Sequence, residues 1–156
     1  MPNAKSGAVR HILHPSDFSP ASSAAFTKAL ALARDAKAQL TIVHVLSPSV
    51  VLPVDGYVAP RVYDDIQRLA ETYARKKLAV LLARARKAGV RAKTALVEGV
   101  AAERIVAAAR RNRADLIVIG THGRTGLARL MLGSVASRVV ATAACPVLTV
   151  RGRGQG

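Results

Sequence analysis

The residues best suited to chemistry in this sequence lie between Gly120 and Ser134. Gly120, Gly123 and the pair Gly133-Ser134 are separated by two and nine residues, and they follow the apolar run 115–119. A short β-branched run that ends at a glycine predicts a buried parallel strand. Glycine permits a tight turn and close backbone approach to a ligand, and a helix that begins at Ser134 would present free N–H groups to an anion. The spacing predicts a phosphate loop suited to a nucleotide.

Neighbouring residues would complete this loop. The hydroxyl of Ser134 could contact phosphate oxygens, together with the N–H groups of the next two residues. His122 and Arg124 either lean on the phosphates or lie exposed in the loop. The remaining candidates are Ile119, which would pack beside the nucleotide, and the backbone donors Val135 and Ala136.

A polar turn follows the first predicted strand. Pro15, Ser16 and Asp17 come after the strand near 10–14, so they share the carboxyl edge of the sheet with Gly120, where open α/β sheets bind ligands. Pro15 and Ser16 would shape the adjoining wall. The carboxylate of Asp17 could bond the N–H groups of its own turn or help to begin the helix. However, Ser19 already suits the helix cap and Pro20 the first helical position, which favours a ligand role for Asp17.

Signatures of catalysis are missing from the sequence. The loop has no Gly-Lys-Ser/Thr, it is not Gly-x-Gly-x-x-Gly, and no Gly-x-Ser-x-Gly elbow occurs. The four histidines have no Cys or carboxylate cluster at metal-ligand spacing, and His44 on an apolar strand is typical of a satisfied core histidine. Asp17 is the one acidic residue near the predicted site. We expect no catalytic residue, slow or absent hydrolysis, and a divalent ion (Mg or Mn) held mainly by the phosphates.

Composition indicates one globular domain over residues 1–156, with an ordered core of about 8–151. The chain is 51% hydrophobic and 21% charged. No apolar run reaches membrane-spanning length, and the first residues lack the apolar core of a secretory signal. Cys145 is the single cysteine, which agrees with a reducing cytoplasm.

The net charge is +15, from 24 Lys and Arg against 9 Asp and Glu. Such a surface attracts polyanions. However, aromatic residues make up only 3% of the chain, so stacking platforms for single strands are scarce. Solvated basic helix faces, with nonspecific affinity for nucleic acid at most, are the preferred interpretation.

Strand and helix patterns alternate along the chain. Strands are predicted near 10–14, 39–46, 91–97, 115–119 and 147–150, and helices near 20–36, 61–88, 101–112 and 133–142. This alternation predicts a parallel sheet with helices on both faces. The connection 47–60 is either a lid or a plain surface loop. The inner side of the long helix is predicted to carry Ile66, Leu69, Tyr73, Leu78, Leu81 and Leu82.

Four segments, in order, resemble the ATP-binding branch of the universal stress protein family. They are 11–19 (HILHPSDFS), 40–45 (LTIVHV), the loop 120–134 and 145–150 (CPVLTV), so the resemblance covers about residues 10–151. It implies a Rossmann-like sheet of the adenine nucleotide alpha hydrolase type, with strand order 3-2-1-4-5. It also implies that Asp17 accepts hydrogen bonds from adenine or ribose, and that the backbone of Val45 meets adenine.

The resemblance favours an ATP-binding regulatory or stress-response protein. An ATPase or phosphotransferase using the same pocket, and a basic nucleic-acid-binding module, are the alternatives. Many family members dimerise through the closing strand, and 146–151 is short, apolar and uncharged before Arg151. We therefore expect a homodimer built on that strand, since an unpaired sheet edge is a liability.

Overall fold

A computed structural model describes residues 7–48, 59–122 and 132–152. The elements in these ranges alternate as predicted, and their ends lie within one residue of the predicted bounds. The strands are β1 (His11–Pro15), β2 (Gln39–Leu46), β3 (Ala92–Glu98), β4 (Leu116–Gly120) and β5 (Val147–Val150). The helices are α1 (Pro20–Asp35), α2 (Pro60–Lys87), α3 (Ala101–Arg111) and α4 (Ser134–Thr142). Within the described ranges, no helix combines the length and the apolar character needed to cross a membrane.

The five strands form one parallel sheet in the order β3-β2-β1-β4-β5, which confirms the predicted fold class. Helices α1 and α2 pack on one face, where Phe26 and Leu78 are buried against Ile12 and Leu40. Helices α3 and α4 pack on the other face. Because both faces are covered, the central strands are apolar on both sides, as is usual for a parallel sheet.

Helix α1 begins where the sequence predicts. The side chain of Ser19 accepts a hydrogen bond from the N–H of Ser22 (3.2 Å), and Pro20 occupies the first turn. Phe26 is fully buried, and the guanidinium of Arg84 lies 4.9 Å from its ring centroid. Burial of a phenylalanine side chain contributes roughly 2–3 kcal/mol, so this contact holds α1 on the sheet.

Helix α2 packs as predicted in its C-terminal half, where Leu81 contacts the core and Leu82 is half-buried, but not in its N-terminal half. Leu78 is buried as expected, but Ile66, Leu69 and Tyr73 are exposed, Leu69 by 71%. The buried positions of α2 are instead Ala74, Leu78 and Ala85. Two apolar stripes with helical spacing run along α2, and periodicity alone does not tell which one is buried. The stripe with small alanines faces inward, because it lets the helix approach the strands closely.

Candidate functional site

The predicted site lies in the crevice beyond the carboxyl ends of β1 and β4. These strands are neighbours, with Ile12 opposite Leu116 and Leu13 opposite Ile117. The chain leaves β1 toward β2 on one side and returns as β4 on the other, and ligands bind open α/β sheets at such a switch point. The same register brings Pro15 level with Ile119, and both side chains are buried. The structure therefore brings together the two segments that the sequence analysis singled out.

The turn after β1 is held by its own polar side chains. The N–H of Ser16 donates to the carbonyl of Val43 (2.8 Å), and its hydroxyl oxygen accepts from the N–H of Phe18 (3.2 Å) and the hydroxyl of Ser22 (2.9 Å). The half-buried Asp17 accepts a hydrogen bond at Oδ1 from the N–H of Ser19 (2.9 Å). Asp17 thus performs its predicted turn role, and the ligand role implied by the resemblance stays a prediction.

Phe18 is a site feature that sequence reasoning missed. Its backbone has φ +64°, an unusual conformation for a residue with a bulky side chain. Its ring stacks on His44 with centroids 4.5 Å apart and meets the edge of Tyr73 at 6.1 Å. The signal available in the sequence was an aromatic residue inside an otherwise polar turn. Phe18 therefore forms an aromatic wall with His44 and Tyr73 beside the turn that contains Asp17.

Two residues at the end of β2 border this wall. His44 is buried, and its Nδ1–H donates to the carbonyl of Ser16 (2.6 Å), which confirms it as a satisfied core histidine. Val45 is half-buried and lies opposite Val97 of β3. Its side chain packs with the core between the sheet and α3. The adenine contact that the resemblance implies for the backbone of Val45 stays a prediction.

Gly120 ends β4 under close packing constraints. A Cβ placed there would lie 2.9 Å from the backbone C and O atoms of Ala21 in α1. Any larger residue would push against the backbone of the first turn of α1, which is close to the crevice. The glycine at this position is therefore required by helix packing, a reason that the loop spacing did not reveal.

Thr121 organises the start and the end of the predicted phosphate loop, and sequence reasoning missed it as well. Its N–H donates to the carbonyl of Val150 (2.9 Å), and its own carbonyl accepts from the N–H of Gly133 (2.6 Å). Its hydroxyl lies 2.9 Å from Nδ1 of the half-buried His122. The two sides of the loop are thereby fixed at the carboxyl edge of β4. Gly123 and Arg124 lie outside the described residues.

Helix α4 points its N-terminus at this edge, and no side chain among the described residues caps it. Gly133 is its N-cap and has no side chain to satisfy the first N–H groups, whereas α1 is capped by Ser19. Ser134 and Val135 are exposed, and Ala136 is buried. The first N–H groups of a helix have no partner inside it, and they carry roughly +0.5 of an elementary charge. The structure therefore offers an anion site that fits a phosphate group.

His14 lies beneath the crevice between β1 and β4. It is fully buried, and its Nδ1–H donates to the carbonyl of Val118 (2.9 Å). Desolvation by burial lowers the pKa of His14 to about 4, so the ring is neutral at pH 7. Its Nε2 atom has no hydrogen-bond partner in the described part of the chain. His14 therefore supports the site without adding charge to it.

No group of three or more His, Cys, Asp or Glu side chains within residues 7–48, 59–122 and 132–152 is arranged to hold a metal ion. The expectation that Mg or Mn would be held mainly by nucleotide phosphates stays a prediction.

Comparison with known proteins places this geometry in context. The family model of the Universal stress protein family matches residues 8–151. The chain is 38% identical over 144 residues to a universal stress protein of Methanocaldococcus jannaschii, which covers 91% of this chain and 82% of that protein. The solved universal stress protein from Lactobacillus plantarum superposes with a TM-score of 0.81 at 28% identity, covering 93% of this chain and 99% of the other.

Some solved structures of this fold carry adenine nucleotides. A universal stress protein in complex with cAMP superposes with a TM-score of 0.69 at 26% identity, covering 94% of this chain and 99% of the other. Two more distant proteins share the fold. An Arabidopsis thaliana protein with AMP bound superposes with a TM-score of 0.68 at 20% identity, covering 93% of both chains. An Archaeoglobus fulgidus protein in complex with dAMP superposes with a TM-score of 0.63 at 22% identity, covering 91% of this chain and 97% of the other.

Proposed function

This chain belongs to the universal stress protein family, and from that premise we propose that it binds ATP and acts as a nucleotide-dependent regulator of a stress response. The observation that carries the proposal is the open N-terminus of α4, which Thr121 fixes at the carboxyl edge of β4 through the N–H of Gly133 (2.6 Å). A phosphate there would receive the first N–H groups of α4 and the favourable end of its dipole. Nucleotide occupancy would then stabilise one conformation or assembly of the protein.

The nucleotide is proposed to span the crevice from α4 to the turn after β1. The phosphates would lie at the N-terminus of α4, and the base and ribose near the turn. The phosphate side would comprise Gly120, His122, Gly123, Arg124, Gly133, Ser134, Val135 and Ala136. The base and ribose side would comprise Pro15, Ser16, Asp17, Val45 and Ile119. Support for this orientation comes from the charge of the helix terminus and from the aromatic wall formed by Phe18 and His44.

Isothermal titration calorimetry with ATP, ADP and AMP tests the proposal. Gly133→Val and Gly123→Val should each abolish ATP binding. The fold should survive Gly133→Val, since φ is −58° at Gly133 and any L residue adopts that conformation. Thr142→Val at the other end of α4 is the matched control and should bind ATP as the wild type does. Unchanged ATP affinity in both glycine variants would contradict the proposal.

Hydrolysis of the bound nucleotide is expected to be slow or absent. Among the described residues, Asp17 supplies the carboxylate at the crevice. Its Oδ1 atom already accepts a hydrogen bond from the N–H of Ser19 (2.9 Å). A general base must reach the attacking water, and that water must in turn be in line with the terminal phosphate. Release of ADP, followed by chromatography, should stay below the ordinary enzyme range of roughly 1–1000 turnovers per second. A rate inside that range would favour the ATPase or phosphotransferase alternative.

We further propose a cytoplasmic homodimer. Strand β5 is at the edge of the sheet, as the resemblance implied, and all four of its side chains are only half-buried. Pairing with the same strand of a second copy would satisfy the edge. Support for a reducing compartment comes from Cys145, because a single cysteine cannot form an internal disulfide.

A further inference from the structure

The amino edge of the sheet, opposite the proposed nucleotide site, carries an unusual concentration of cations. We call it the basic edge. Its nine members are Arg10, Arg34, Lys37, Arg86, Lys87, Arg91, Arg110, Arg111 and Arg113, which lie just before β1 and β3 or at the ends of α1, α2 and α3. Strand β1 has five residues, so the two edges are separated by about 17 Å at 3.3 Å per residue.

Backbone hydrogen bonds place the strand starts of the basic edge in one row. The N–H of Leu40 donates to the carbonyl of Arg91 (2.9 Å), and the N–H of Gln39 donates to the carbonyl of Arg10 (2.8 Å). On the other side, the N–H of Asp115 donates to the carbonyl of His11 (2.8 Å). Neighbouring strands are about 4.8 Å apart, so the row from Arg91 across to the end of α3 spans several phosphate spacings of a nucleic acid.

Part of the basic edge borders two shallow cavities. A cavity of about 470 Å³ is lined by residues that include Arg86 and Arg91, and it adjoins a second cavity of about 120 Å³. The second cavity is lined by residues that include Arg34, Lys37 and Arg91. Gly89, with φ +78° and open space where a Cβ would lie, borders both. Four cations thus border one shallow, open depression of the surface.

The positive charge of this edge is not neutralised within the described residues. Two carboxylates lie there: Asp35 is 3.6 Å from Arg34, and Asp115 accepts the N–H groups of Arg10 and His11 (2.8 and 2.9 Å). The carbonyl ends of α1, α2 and α3 each add about −0.5 of an elementary charge. Together these negative charges amount to less than half of the nine positive ones, so helix-end stabilisation alone does not account for the cluster.

Two of these cations occupy positions that favour glycine. Lys37 has φ +54° and Arg113 has φ +50°, and each follows the end of a helix. Glycine or asparagine is the usual residue there, because a Cβ is strained at positive φ. A cation at a position where the backbone disfavours it is consistent with a role for its charge.

We propose that the basic edge binds the phosphate backbone of double-stranded nucleic acid without reading its sequence. Seven of the nine cations are arginines, whose planar fork bonds phosphate oxygens in pairs. The exposed large apolar side chains of the described residues lie elsewhere, on α2 and α4 and at Val100 and Leu132. The basic edge therefore offers neither stacking surfaces for single strands nor apolar wedges for a membrane.

Fluorescence anisotropy with a labelled duplex of about 30 base pairs, titrated at several KCl concentrations, tests the proposal. The test variant replaces Arg34, Lys37, Arg86 and Arg91 with Gln. The control variant removes the same charge by replacing Lys28, Arg61, Lys76 and Lys77 with Gln. Each phosphate contact contributes about 0.9 to the slope of log K against log salt. For the test variant, we expect the magnitude of this slope to fall by about 3 to 4 and the affinity for the duplex to fall at least about tenfold. For the control variant, we expect the magnitude of the slope to fall by less than about 1.

Thermal melting of both variants checks that they fold, and ATP titration of the test variant checks that the nucleotide site is unaffected. Equal losses in both variants would overturn the proposal, because the net charge alone would then explain binding. Tighter binding of a single strand than of the duplex would overturn it too. Binding to vesicles of anionic lipid would also overturn the proposal, if the test variant loses that lipid affinity and the wild type does not bind the duplex.

Discussion

Two glycines of the crevice have different physical reasons to be glycine. Gly120 leaves room for the backbone of Ala21, only 2.9 Å from where a Cβ would lie, so its role is in packing. Gly133 is an N-cap with φ −58°, a conformation open to any residue, so backbone strain does not require glycine there. Its small size instead leaves the N-terminus of α4 accessible. Residue type alone therefore did not separate a structural glycine from a binding one.

His14 makes the stability of the protein depend on pH. Its pKa is about 4 in the folded chain, against 6.5 for an ordinary histidine, because burial disfavours the charged ring. Between these two values the unfolded chain binds a proton that the folded chain does not. The free energy of unfolding must therefore fall as the pH drops through this window, and above pH 6.5 the effect vanishes.

We predict that wild-type protein loses about 3 kcal/mol of stability through His14 between pH 7 and pH 4, at 1.36 kcal/mol per pKa unit. Replacing His14 with Gln should remove this part of the pH dependence. His11→Gln, at the half-buried start of the same strand, is the control and should keep it. Urea unfolding at a series of pH values measures the effect. Equal pH dependence in the His14 variant and the wild type would show that other groups cause it.

At the scale of elements, the two helices at the crevice begin differently. Helix α1 satisfies one of its first N–H groups internally, because the hydroxyl of Ser19 accepts from the N–H of Ser22 (3.2 Å). Helix α4 has only Gly133 at the same position. A carboxylate at an N-cap stabilises a helix by hydrogen bonding and by its charge. The same carboxylate would occupy the position of a bound phosphate and repel its negative charge.

Gly133→Asp should therefore change stability and binding in opposite directions. We expect the free energy of unfolding to rise by about 0.5–1 kcal/mol and the affinity for ATP to fall by at least about tenfold. Chemical denaturation and calorimetry measure the two quantities on the same sample. Gly133→Asn, which caps without charge, should raise stability by only a few tenths of a kcal/mol (~0.3) and weaken ATP binding less. Higher stability with unchanged affinity in the Asp variant would show that α4 does not hold phosphate.

At the scale of the whole molecule, β5 leaves one side of the sheet unpaired among the described strands. The carbonyls of Pro146 and Val150 accept hydrogen bonds from the N–H groups of Ile117 in β4 and of Thr121 directly after it. Backbone groups alternate sides along a strand, so the N–H groups of Val147 and Thr149 face away from β4. A second copy related by a twofold axis could pair with these groups in antiparallel fashion.

Thr149→Pro tests the proposed dimer, because it removes an outward N–H without touching the bonds to β4. Light scattering at micromolar concentration should give twice the chain mass for wild-type protein and one chain mass for the variant. Thr149→Ser keeps the N–H and should remain a dimer. A single-chain mass for the wild type would contradict the proposal, and a dimeric Thr149→Pro variant would place the interface elsewhere.

Hydrophobic periodicity and the residues that start and end helices were sufficient to predict the strands and helices of this protein. Alternating strand and helix patterns, Ser19 and Pro20 at the start of α1, and glycine at Gly89 were sufficient to place their ends within one residue. These signals are local, because hydrogen bonding along a helix or strand depends on neighbouring residues. The order of the strands came from the resemblance, since it depends on which strand edges meet after the chain has closed.

The sequence by itself also determined which segments would meet at the crevice, because carboxyl ends of parallel strands share one edge. Tertiary structure alone decided which stripe of α2 is buried, why Gly120 must be glycine, and how Thr121 joins Gly133 to β4. It also gathered into one basic edge cations that are scattered from Arg10 to Arg113 in the sequence. The physical reason is the same in each case: these features depend on distances between residues far apart in the chain, which only packing of the helices on the sheet determines.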